Sequence, residues 1–494
     1  MYILTPFLLA VFPGLFLFTY NFDITPVEAL WFPLLLSLAG TGILLFIMYS
    51  IFKNLKKAGL FTSLTLILFF TYGSLHGGLY RIFSQPEAVT SSALIALLIF
   101  FFYRLWKSSK SSTLHNSLYF LFIIIVVLIS FQLVNITWDT LTGPGLKDID
   151  KEITLETQED PPDIFYFIVD GYGGKEILKD IYDFDSEPFL EKLRQRGFYI
   201  AEESWSNYSQ TILSLASNLN FNYLNEFAHL PEESSDRSHL INTIKHNKVF
   251  KLLEEKGYHT TSYFTVYSPA NITGADDYKK EHIYNLNEFT HSLLNHSWFS
   301  VLTKDLQYSL YRSSVRFALE SIPGQVKKEE PNFVYAHLLP PHPPFTFDRE
   351  GRPVEVEYRF SLRDGSHFPG TEKEYLRGYI EQVQFLNNEL LTLIEEIKDN
   401  SPNPIIIIQA DHGPGSQLDW KDMSATNIQE RMSILNAIYF YDENYEQLHS
   451  AITPVNTFRV IFNQYFEAEI NPLKDKSFFS TWERPYDFHP LRDN

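Results

Sequence analysis

Five apolar segments in the first 140 residues constrain this chain more than any other feature. A helix needs about 20 apolar residues to cross the hydrocarbon core of a bilayer, because each residue advances it by only about 1.5 Å. Five segments meet or approach that length, and the fourth is the shortest: residues 2–20, 29–52, 60–80, 91–106 and 117–136. A cleaved signal peptide explains the first segment poorly, since it lacks a basic start and similar segments follow. We expect a transmembrane domain of five helices over residues 1–138.

Basic residues in the short loops predict the orientation of these helices. Lys and Arg resist translocation, so loops that carry them stay in the cytoplasm. Apart from Arg81, the basic residues lie between the second and third segments or between the end of the fourth and the fifth: Lys53, Lys56, Lys57, Arg104, Lys107 and Lys110. With five crossings, the N-terminus is cytoplasmic and everything after residue 138 is extracytoplasmic. We therefore expect a multi-pass protein of the cell membrane.

The charge of the chain changes sign after the apolar part. That part carries seven Lys or Arg and three acids, a net of +4, whereas the whole chain carries −19, so the remainder carries −23. An acidic domain repels nucleic acid phosphates, and we expect no nucleic acid partner. Cys is absent, which excludes disulfides, thiolate metal sites and a Cys nucleophile.

Residues 139–161 separate the apolar part from the acidic remainder. They are polar, contain the breaker Gly143-Pro144-Gly145 and end at Pro161-Pro162, so we interpret them as a linker. Residues 162–494 are predicted to form the extracytoplasmic catalytic domain.

Strand-like and helix-like segments alternate in this domain. Residues 163–169 and 404–409 are apolar and rich in β-prone side chains, which is typical of strands buried on both faces of a sheet. Amphipathic helices are predicted near 187–196, 249–256 and 375–398. This alternation predicts an α/β sandwich with a mostly parallel central sheet, whose ligands bind beyond the carboxyl ends of the strands.

Polar residues follow the two most apolar strands. Asp170 comes directly after the first, and Asp411 and His412 come just after the second. Carboxylate and imidazole donors at neighbouring strand ends can hold one divalent cation such as Mg, Mn or Zn. The structural alternatives are an ordinary Asp-Gly turn at Asp170 and a turn with a surface His at His412.

Thr211 is predicted to start an apolar-periodic helix. Its hydroxyl could bind a metal there, while free backbone N–H groups and the helix dipole could stabilise a phosphoryl oxyanion. The alternative is that Thr211 only caps the helix. Ser209 could cap or attack equally well on local grounds.

Two His residues lie in or near a proline-rich loop after a third strand, in the segment His337-Leu338-Leu339-Pro340-Pro341-His342-Pro343-Pro344. Prolines lower the entropy cost of fixing a side chain, which suits a His342 that binds an anion or protonates a leaving oxygen. Packed, hydrogen-bonded histidines are the alternative for both positions.

The order of these motifs resembles the alkaline phosphatase and sulfatase superfamily, and within it the membrane-bound branch of lipoteichoic acid synthases and phosphoethanolamine transferases. The likeness covers about residues 162–441. It rests on the acid after the first strand, the Thr at a helix start, the strand at Gly257-Tyr258-His259-Thr260, the His-Pro-Pro-Phe loop and Asp411-His412-Gly413. The five apolar segments are also typical of that branch.

The resemblance implies roles for individual residues. Asp170, Thr211, Asp411 and His412 would bind the metal, and Thr211 would also be the nucleophile that forms a phospho-Thr intermediate. His342 would contact the substrate phosphate, with His337 as a further substrate-binding candidate. Arg431 either helps to hold an anion or is an ordinary surface charge.

Three departures from the family pattern refine these expectations. Asp170 stands where lipoteichoic acid synthases have Glu, a difference that bears on the coordination geometry and on which metal binds. Two-zinc relatives need further Asp and His ligands, and no second His lies between Gly413 and Arg431, so we expect one metal ion. Mn or Mg is favoured, with Zn or Ca as alternatives. The segment from Ser209 to Leu213 lacks the Pro and Arg of the Cys/Ser-x-Pro-x-Arg sequence of sulfatases proper, which argues against a formylglycine.

The leading hypothesis is a transferase that moves a phosphoglycerol or phosphoethanolamine-type group from a membrane phospholipid to an envelope glycan or lipid. One alternative is a hydrolase of phosphodiesters or sulfate esters that uses the same Thr and metal. The other is an inactive, membrane-tethered binding module.

Overall fold

The computed structural model describes residues 1–21, 25, 27–83, 87–107, 111–142, 153, 155–156, 160–225, 227, 234–281, 286–326 and 330–493. The chain divides into two compact units. The first contains Met1–Leu146 and Leu286–Gln307, and the second contains Lys147–Asn285 and Tyr308–Asn494.

The first unit is helical. It contains α1 (Leu4–Tyr20), α2 (Glu28–Phe52), α3 (Leu55–Phe83), α4 (Glu87–Lys107), α5 (Ser111–Thr142), α11 (Glu288–His296) and the start of α12 (Ser300–Ser321). Among the described residues, four helices are long and apolar enough to cross a membrane: Ala29–Phe52, Leu55–Leu79, Ala88–Lys107 and Leu114–Ile136. The chain is therefore an integral membrane protein, as the sequence predicts.

The shortest apolar helix is the first, and not the fourth as expected. α1 has 17 residues, or about 26 Å, whereas α4 has 21 because it begins at Glu87, ahead of its most apolar stretch. α5 continues four residues beyond Trp138. Lys110, the interhelical residues 22–24, 26 and 84–86, and most of the predicted linker (143–152, 154 and 157–159) lie outside the described residues.

The second unit is built around a seven-stranded sheet. Its strands are β1 (Asp163–Val169), β2 (Tyr199–Ile200), β3 (His259–Tyr263), β4 (Asp277–Lys279), β5 (Asn332–Leu338), β6 (Pro404–Gln409) and β7 (Asn436–Phe440), and their spatial order is β2-β7-β6-β1-β5-β3-β4. Four pairings are parallel, while β7 pairs antiparallel with β2 and β6. A hairpin of β8 (Lys476–Phe479) and β9 (His489–Asp493) stands apart from the sheet.

Helices cover both faces of this sheet. The helices of the unit are α6 (Lys175–Asp180), α7 (Glu187–Gln195), α8 (Thr211–Asn218), α9 (Ser238–Lys245), α10 (Lys248–Glu255), most of α12, α13 (Glu372–Asn400), α14 (Ile428–Met432) and α15 (Thr457–Phe466). On one face, Phe165 and Phe167 pack in a cluster with Leu386 and Leu390 of α13. On the other, the ring of Tyr166 meets that of Phe458 of α15 at 5.1 Å. This arrangement is the predicted α/β sandwich with a mostly parallel sheet.

The register of the central strands positions the site. Ile168 of β1 is paired with Gln409 of β6 and with His337 of β5. Asp170 and Asp411 each follow these paired residues by two positions, so parallel pairing brings them to the same edge of the sheet. β1 is completely buried because it lies at the centre with helices on both faces, which explains its unbroken apolar sequence.

Candidate metal centre

Three side chains converge at the carboxyl ends of β1 and β6. The ligand atoms of Asp170, Asp411 and His412 all lie within 4.8 Å of one another. Nε2 of His412 is 3.6 Å from Oδ1 of Asp170 and 3.3 Å from Oδ2 of Asp411. All three residues are buried. Among the residues that the structure describes, this is the one group of three acidic or imidazole side chains with such geometry.

The hydrogen bonds of this cluster leave acceptors unused. Oδ1 of Asp411 accepts from the backbone N–H groups of Gly171 and His412, at 3.1 and 3.0 Å. Oδ2 of Asp411 and Oδ1 of Asp170 are buried without a hydrogen-bond partner. Unpaired buried acceptors are costly, and two facing carboxylates repel each other unless a cation lies between them. The donor set therefore fits a divalent metal ion.

Thr211 lies at the same point. It is the first residue of α8, its position is partly exposed, and its Oγ1 is 2.9 Å from Nε2 of His412. Gln210 occupies the N-cap position, so Thr211 is not the helix cap. At the start of α8 the N–H of Leu213 donates to the carbonyl oxygen of Gln210 at 3.0 Å, so the N–H groups that this helix start can offer to an anion beside the hydroxyl are those of Thr211 and Ile212.

The segment before Thr211 is fixed to the C-terminal part of the chain. The Gln210 amide donates to the carbonyl oxygens of Ser480 and Thr481, at 3.2 and 3.0 Å. Oγ of Ser209 is hydrogen-bonded to the carbonyl oxygen and the N–H of Ser480, both at 3.3 Å, and is buried. The sequence left the hydroxyls of both Ser209 and Thr211 as candidate nucleophiles. Only that of Thr211 reaches the cluster of Asp170, Asp411 and His412.

Electrostatics favour the protonation states that bind metals. Burial alone would raise the pKa of Asp170, but His342, His337 and His412 hold that pKa well below its usual value. Burial and the Arg431 guanidinium lower the pKa of His412. Nδ1 of His412 is 2.9 Å from the carbonyl oxygen of Gly413, which fixes the proton on Nδ1 and leaves Nε2 as the donor atom toward the cluster.

His342 borders the cluster from the proline-rich loop. Its backbone N–H donates to the carbonyl oxygen of Asp170 at 3.1 Å, and its Nδ1 lies 2.6 Å from the carbonyl oxygen of Pro343. Nε2 is 3.9 Å from Oδ2 of Asp364. Burial lowers the pKa of His342, but the carboxylates of Asp170 and Asp364 outweigh it and hold the pKa above its usual value. A protonated imidazole can bind an anion or donate a proton.

His337 is placed differently from the sequence-based expectation. It lies inside β5, one residue before its end, and not in the loop. Its side chain is completely buried, with Nε2 3.3 Å from Oδ2 of Asp170. The structure thus places His337 behind Asp170, where it contacts a predicted metal ligand.

Arg431 is buried at 1% exposure, which excludes the surface-charge alternative. Its Nε donates to the carbonyl oxygen of Ser209 at 2.9 Å, and Nη1 donates to the carbonyl oxygen of Gly413 at 3.1 Å and to Oδ2 of Asp364 at 3.0 Å. One guanidinium therefore links the segment before Thr211, the segment after His412 and the carboxylate beside His342.

One face of α13 holds the loops of the site. Tyr375, Tyr379 and Gln382 occupy positions spaced by four and three residues, which lie on the same side of a helix. The Tyr379 hydroxyl donates to the carbonyl oxygen of Gly171 and the Tyr375 hydroxyl donates to Oδ1 of Asp364, at 2.9 and 2.7 Å. The Gln382 amide donates to the carbonyl oxygen of His342 at 3.2 Å and accepts from the N–H of Thr346 at 2.8 Å.

Sequence reasoning missed Asp364 and the polar face of α13. Asp364 lies in an irregular loop and follows no apolar strand, so no periodicity marked it. The only local signal was the polar spacing of Tyr375, Tyr379 and Gln382 on an otherwise apolar helix face. Such a spacing is equally typical of partly exposed core positions.

Comparison with protein families identifies the second unit, which we call the sulfatase unit. The Sulfatase family model matches residues 162–476, more than half of the chain. The chain belongs to the sulfatase family. It is therefore an enzyme of the alkaline phosphatase and sulfatase superfamily, which confirms the prediction made from the order of the motifs. Comparison of this sulfatase-family chain with curated proteins gives no match.

Several solved structures are similar to this sulfatase-family protein at low identity. The periplasmic domain of EcEptC from Escherichia coli is 14% identical, with a TM-score of 0.42, over 71% of this chain and 96% of that chain. The lipooligosaccharide phosphoethanolamine transferase EptA from Neisseria meningitidis is 10% identical, with a TM-score of 0.40, over 81% and 67%. A 4S-sulfatase from Bacteroides thetaiotaomicron is 12% identical, with a TM-score of 0.38, over 67% and 84%.

Gly413 should be intolerant of any side chain. A Cβ added there would lie 2.0 Å from the carbonyl oxygen of Glu430, so the segment that carries His412 would have to move. We expect Gly413→Ala to lower the stability of the sulfatase unit by about 2 kcal/mol and its affinity for divalent cations by about 10- to 100-fold. Thermal unfolding and metal titration measure the two effects. Gly274→Ala is the control, because a Cβ there meets nothing within 4 Å. It should leave both the stability and the affinity for divalent cations unchanged.

Asp364 should be important for the stability of the site. Asp364→Asn keeps the volume and a hydrogen-bonding group toward Tyr375 but leaves Arg431 buried without its counter-charge. We expect a loss of about 3 kcal/mol in the free energy of unfolding. Asp348→Asn removes the charge from the surface pair with Arg352 and should lower the stability far less, because solvent screens such a pair. Equal losses in the two variants would contradict a special role for the buried pair.

Proposed function

We propose that the protein is a membrane-anchored, metal-dependent transferase that moves a phosphoglycerol or phosphoethanolamine-type group from a phospholipid to an envelope glycan or lipid. One observation carries the proposal: Oγ1 of Thr211 lies 2.9 Å from Nε2 of His412, next to unpartnered oxygens of Asp170 and Asp411 and at the start of α8. A hydroxyl, a cation-binding cluster and a helix N-terminus together form the parts needed for phosphoryl transfer through a covalent intermediate.

The residues proposed to hold the metal are Asp170, Thr211, Asp411 and His412. Three oxygen donors and one imidazole are best suited to Mn or Mg, although Zn and Ca accept the same donors. When bound, such an ion lowers the pKa of the nucleophilic hydroxyl and stabilises negative charge on the transferring group. One ion is proposed, because a second group of acids and histidines is not found among the described residues.

Thr211 is the proposed nucleophile. Its Oγ1, having lost its proton to solvent, forms a bond to phosphorus while the bond from phosphorus to the diacylglycerol oxygen breaks. His342 gives its proton to that leaving oxygen, so diacylglycerol departs and the head group stays on Thr211. A hydroxyl of the acceptor then attacks phosphorus, passes its proton to His342, and releases Oγ1 of Thr211. After the second step Oγ1 of Thr211 regains a proton from solvent, so the two steps together return both side chains to their starting states.

The other polar groups are proposed to position these reactants. The N–H groups at the start of α8 lie next to Thr211 and can receive the phosphoryl oxygens. Arg431 donates through Nε to Ser209 and through Nη1 to Gly413 and Asp364, so we propose that it aligns the segments that carry Thr211 and His412. His337, in contact with Asp170, is proposed to orient that ligand.

The membrane anchor supports a lipid donor. A soluble phosphatase needs no transmembrane helices, whereas an enzyme that takes its substrate from the bilayer profits from remaining at its surface. We propose a multi-pass protein of the cell membrane with a cytoplasmic N-terminus and an extracytoplasmic catalytic unit. The basic residues after α2 and around the end of α4 support this orientation.

Two alternatives are less consistent with the site. A hydrolase would use the same Thr211 with water as the acceptor, and the sulfatase family match leaves this possibility open. A formylglycine is not available, because the chain lacks Cys and the segment Ser209-Gln210-Thr211-Ile212-Leu213 lacks the required Pro and Arg. An inactive module gives no reason for the convergence of four buried or half-buried donor groups on one point.

Thr211→Ala should lower turnover by at least about 10³-fold, because it removes the nucleophile but leaves the other three proposed metal ligands, Asp170, Asp411 and His412. Mass spectrometry of the wild-type protein trapped with substrate should find the phosphoryl group on Thr211. Ser209→Ala is the matched control and should retain turnover within a few fold, since Oγ of Ser209 is hydrogen-bonded to Ser480. Full turnover by Thr211→Ala would refute the assignment of Thr211 as the nucleophile.

Removal of divalent ions by EDTA should abolish turnover, and readdition of single cations should identify the metal.

Release of diacylglycerol from phospholipid separates transfer from hydrolysis. The full-length protein in vesicles is given head-group-labelled phosphatidylglycerol or phosphatidylethanolamine, with and without an envelope glycan acceptor. A transferase should release diacylglycerol at least about 10-fold faster with acceptor and place the label on the glycan. Equal rates, with the label appearing as a free head-group phosphate, would establish hydrolysis instead.

A further inference from the structure

A short segment inside the sulfatase sequence belongs to the helical membrane unit. Residues 286–307 lie within the family match, yet they cluster with α1–α5 and not with the sheet. The chain therefore passes between the two units three times, at Leu146, Leu286 and Gln307. Nothing in the chemistry proposed above uses this segment, which we call the membrane-unit excursion.

The first arm of the excursion packs on helix ends. Phe289 of α11 is buried in a cluster with Phe18 of α1 and with Ala29 and Leu30 of α2. Phe18 lies two residues before the end of α1, and Ala29 lies one residue after the start of α2. α11 therefore lies at the end of the bundle opposite to the basic residues Lys53–Lys57, which follow the far end of α2.

The tip of the excursion contacts the sides of α3 and α4, below their ends. The backbone N–H of Trp298 donates to the carbonyl oxygen of Phe69 at 2.8 Å, and its Nε1 donates to Oγ of Ser91 at 3.3 Å. The ring of Phe299 meets that of Phe69 at 4.8 Å. A polar pair joins the two arms behind the tip, because Nδ1 of His291 is 2.6 Å from Oε1 of Gln307, and both side chains are buried.

The position of these partners gives the depth of the tip. Phe69 lies ten residues before Leu79, where the membrane-compatible part of α3 ends, which corresponds to about 15 Å along the helix axis. Ser91 lies three residues after Ala88, where that part of α4 begins, or about 5 Å. The hydrocarbon core is about 30 Å thick, so both distances place Trp298 and Phe299 within the leaflet next to these helix ends.

Apolar side chains at the tip are exposed. The exposed fractions are 44% for Phe299, 39% for Val301, 79% for Leu302 and 53% for Leu306. Four such residues within eight positions form a contiguous apolar patch, which is unfavourable in water and favourable in lipid. The patch is continuous with the exposed apolar surface of the spans, since Phe299 packs directly on Phe69.

Charged residues follow the apolar tip at the spacing expected for a membrane boundary. Lys304 and Asp305 come five and six residues after Phe299 on α12. If α12 ran along the membrane normal, Asp305 would lie about 9 Å closer to the membrane surface than Phe299. This distance falls between the two depths of about 5 and 15 Å along the helix axes given above. Trp298 itself is a residue type that prefers the membrane interface.

We propose that residues 298–303 insert into the hydrocarbon of the leaflet next to the ends of α1 and α2, with Lys304 and Asp305 at its boundary, so that the sulfatase unit has a second lipid attachment besides the transmembrane helices. The occupant of the apolar patch is the acyl-chain region of the bilayer. The attachment is independent of the transferase chemistry, because no residue of the excursion belongs to the metal centre.

The absence of Cys allows a direct test on the full-length protein. Leu302→Cys is labelled with a small environment-sensitive fluorophore, and the protein is reconstituted into vesicles of phosphatidylethanolamine and phosphatidylglycerol. Quenching is then measured with spin-labelled lipids and with aqueous iodide. Leu36→Cys, on the exposed side of α2, is the lipid control, and Lys373→Cys, on the exposed first turn of α13, is the water control.

We expect Leu302→Cys to match Leu36→Cys within about twofold in lipid quenching and to be protected from iodide at least fivefold relative to Lys373→Cys. Val301→Cys provides the same readout if the first variant does not fold. Iodide quenching equal to that of Lys373→Cys would overturn the proposal. Protection from both quenchers would also overturn it, because the patch would then be covered by protein. Diacylglycerol release by Leu302→Cys tests the transferase separately, so failure of one proposal does not imply failure of the other.

Discussion

Two buried carboxylates that face each other are the constraint on which the site depends. Asp170 and Asp411 are brought together by parallel pairing of β1 with β6, and each retains an oxygen without a hydrogen-bond partner. In a buried environment such charges repel, and the cost is removed only by a proton or a cation. The neutral imidazole of His412 and the hydroxyl of Thr211 complete a donor set for a cation. The strand pairing therefore brings the two carboxylates together, and their mutual repulsion favours a cation between them.

The remaining polar groups make this geometry rigid. Arg431 joins the segments before Thr211 and after His412, and the hydroxyls of Tyr375 and Tyr379 hold the loops from the side of α13. These groups are buried, and each donates hydrogen bonds to a segment that carries a residue of the site, so they hold those residues in position. Phosphoryl transfer needs little covalent chemistry from a protein but depends on accurate positioning, and such a scaffold is suited to that need.

The membrane unit gives this chemistry its location. Four helices are long enough to span a bilayer, and the apolar tip around Phe299 and Leu302 provides a further surface suited to lipid. The proposed lipid donor diffuses in two dimensions and would reach an enzyme held at the bilayer without leaving the lipid phase. The residues after Trp138 carry a net charge of −23, so an anionic surface would otherwise repel them. Attachment through apolar segments overcomes that repulsion.

The sequence by itself determined the membrane helices, the buried strands and the acids and histidine of the candidate metal centre, because each has a local signature. A span needs a long apolar run, and a central strand is apolar at nearly every position. Asp170 directly follows such a strand, and Asp411 and His412 come just after another. Only the tertiary structure decided that Ser209 faces away from the cluster, that His337 lies inside β5 behind Asp170, and that Arg431 is paired with Asp364. It also decided that residues 286–307 pack with the membrane helices. These features depend on contacts between residues far apart in the chain, and neither periodicity nor local propensity encodes which distant surfaces meet.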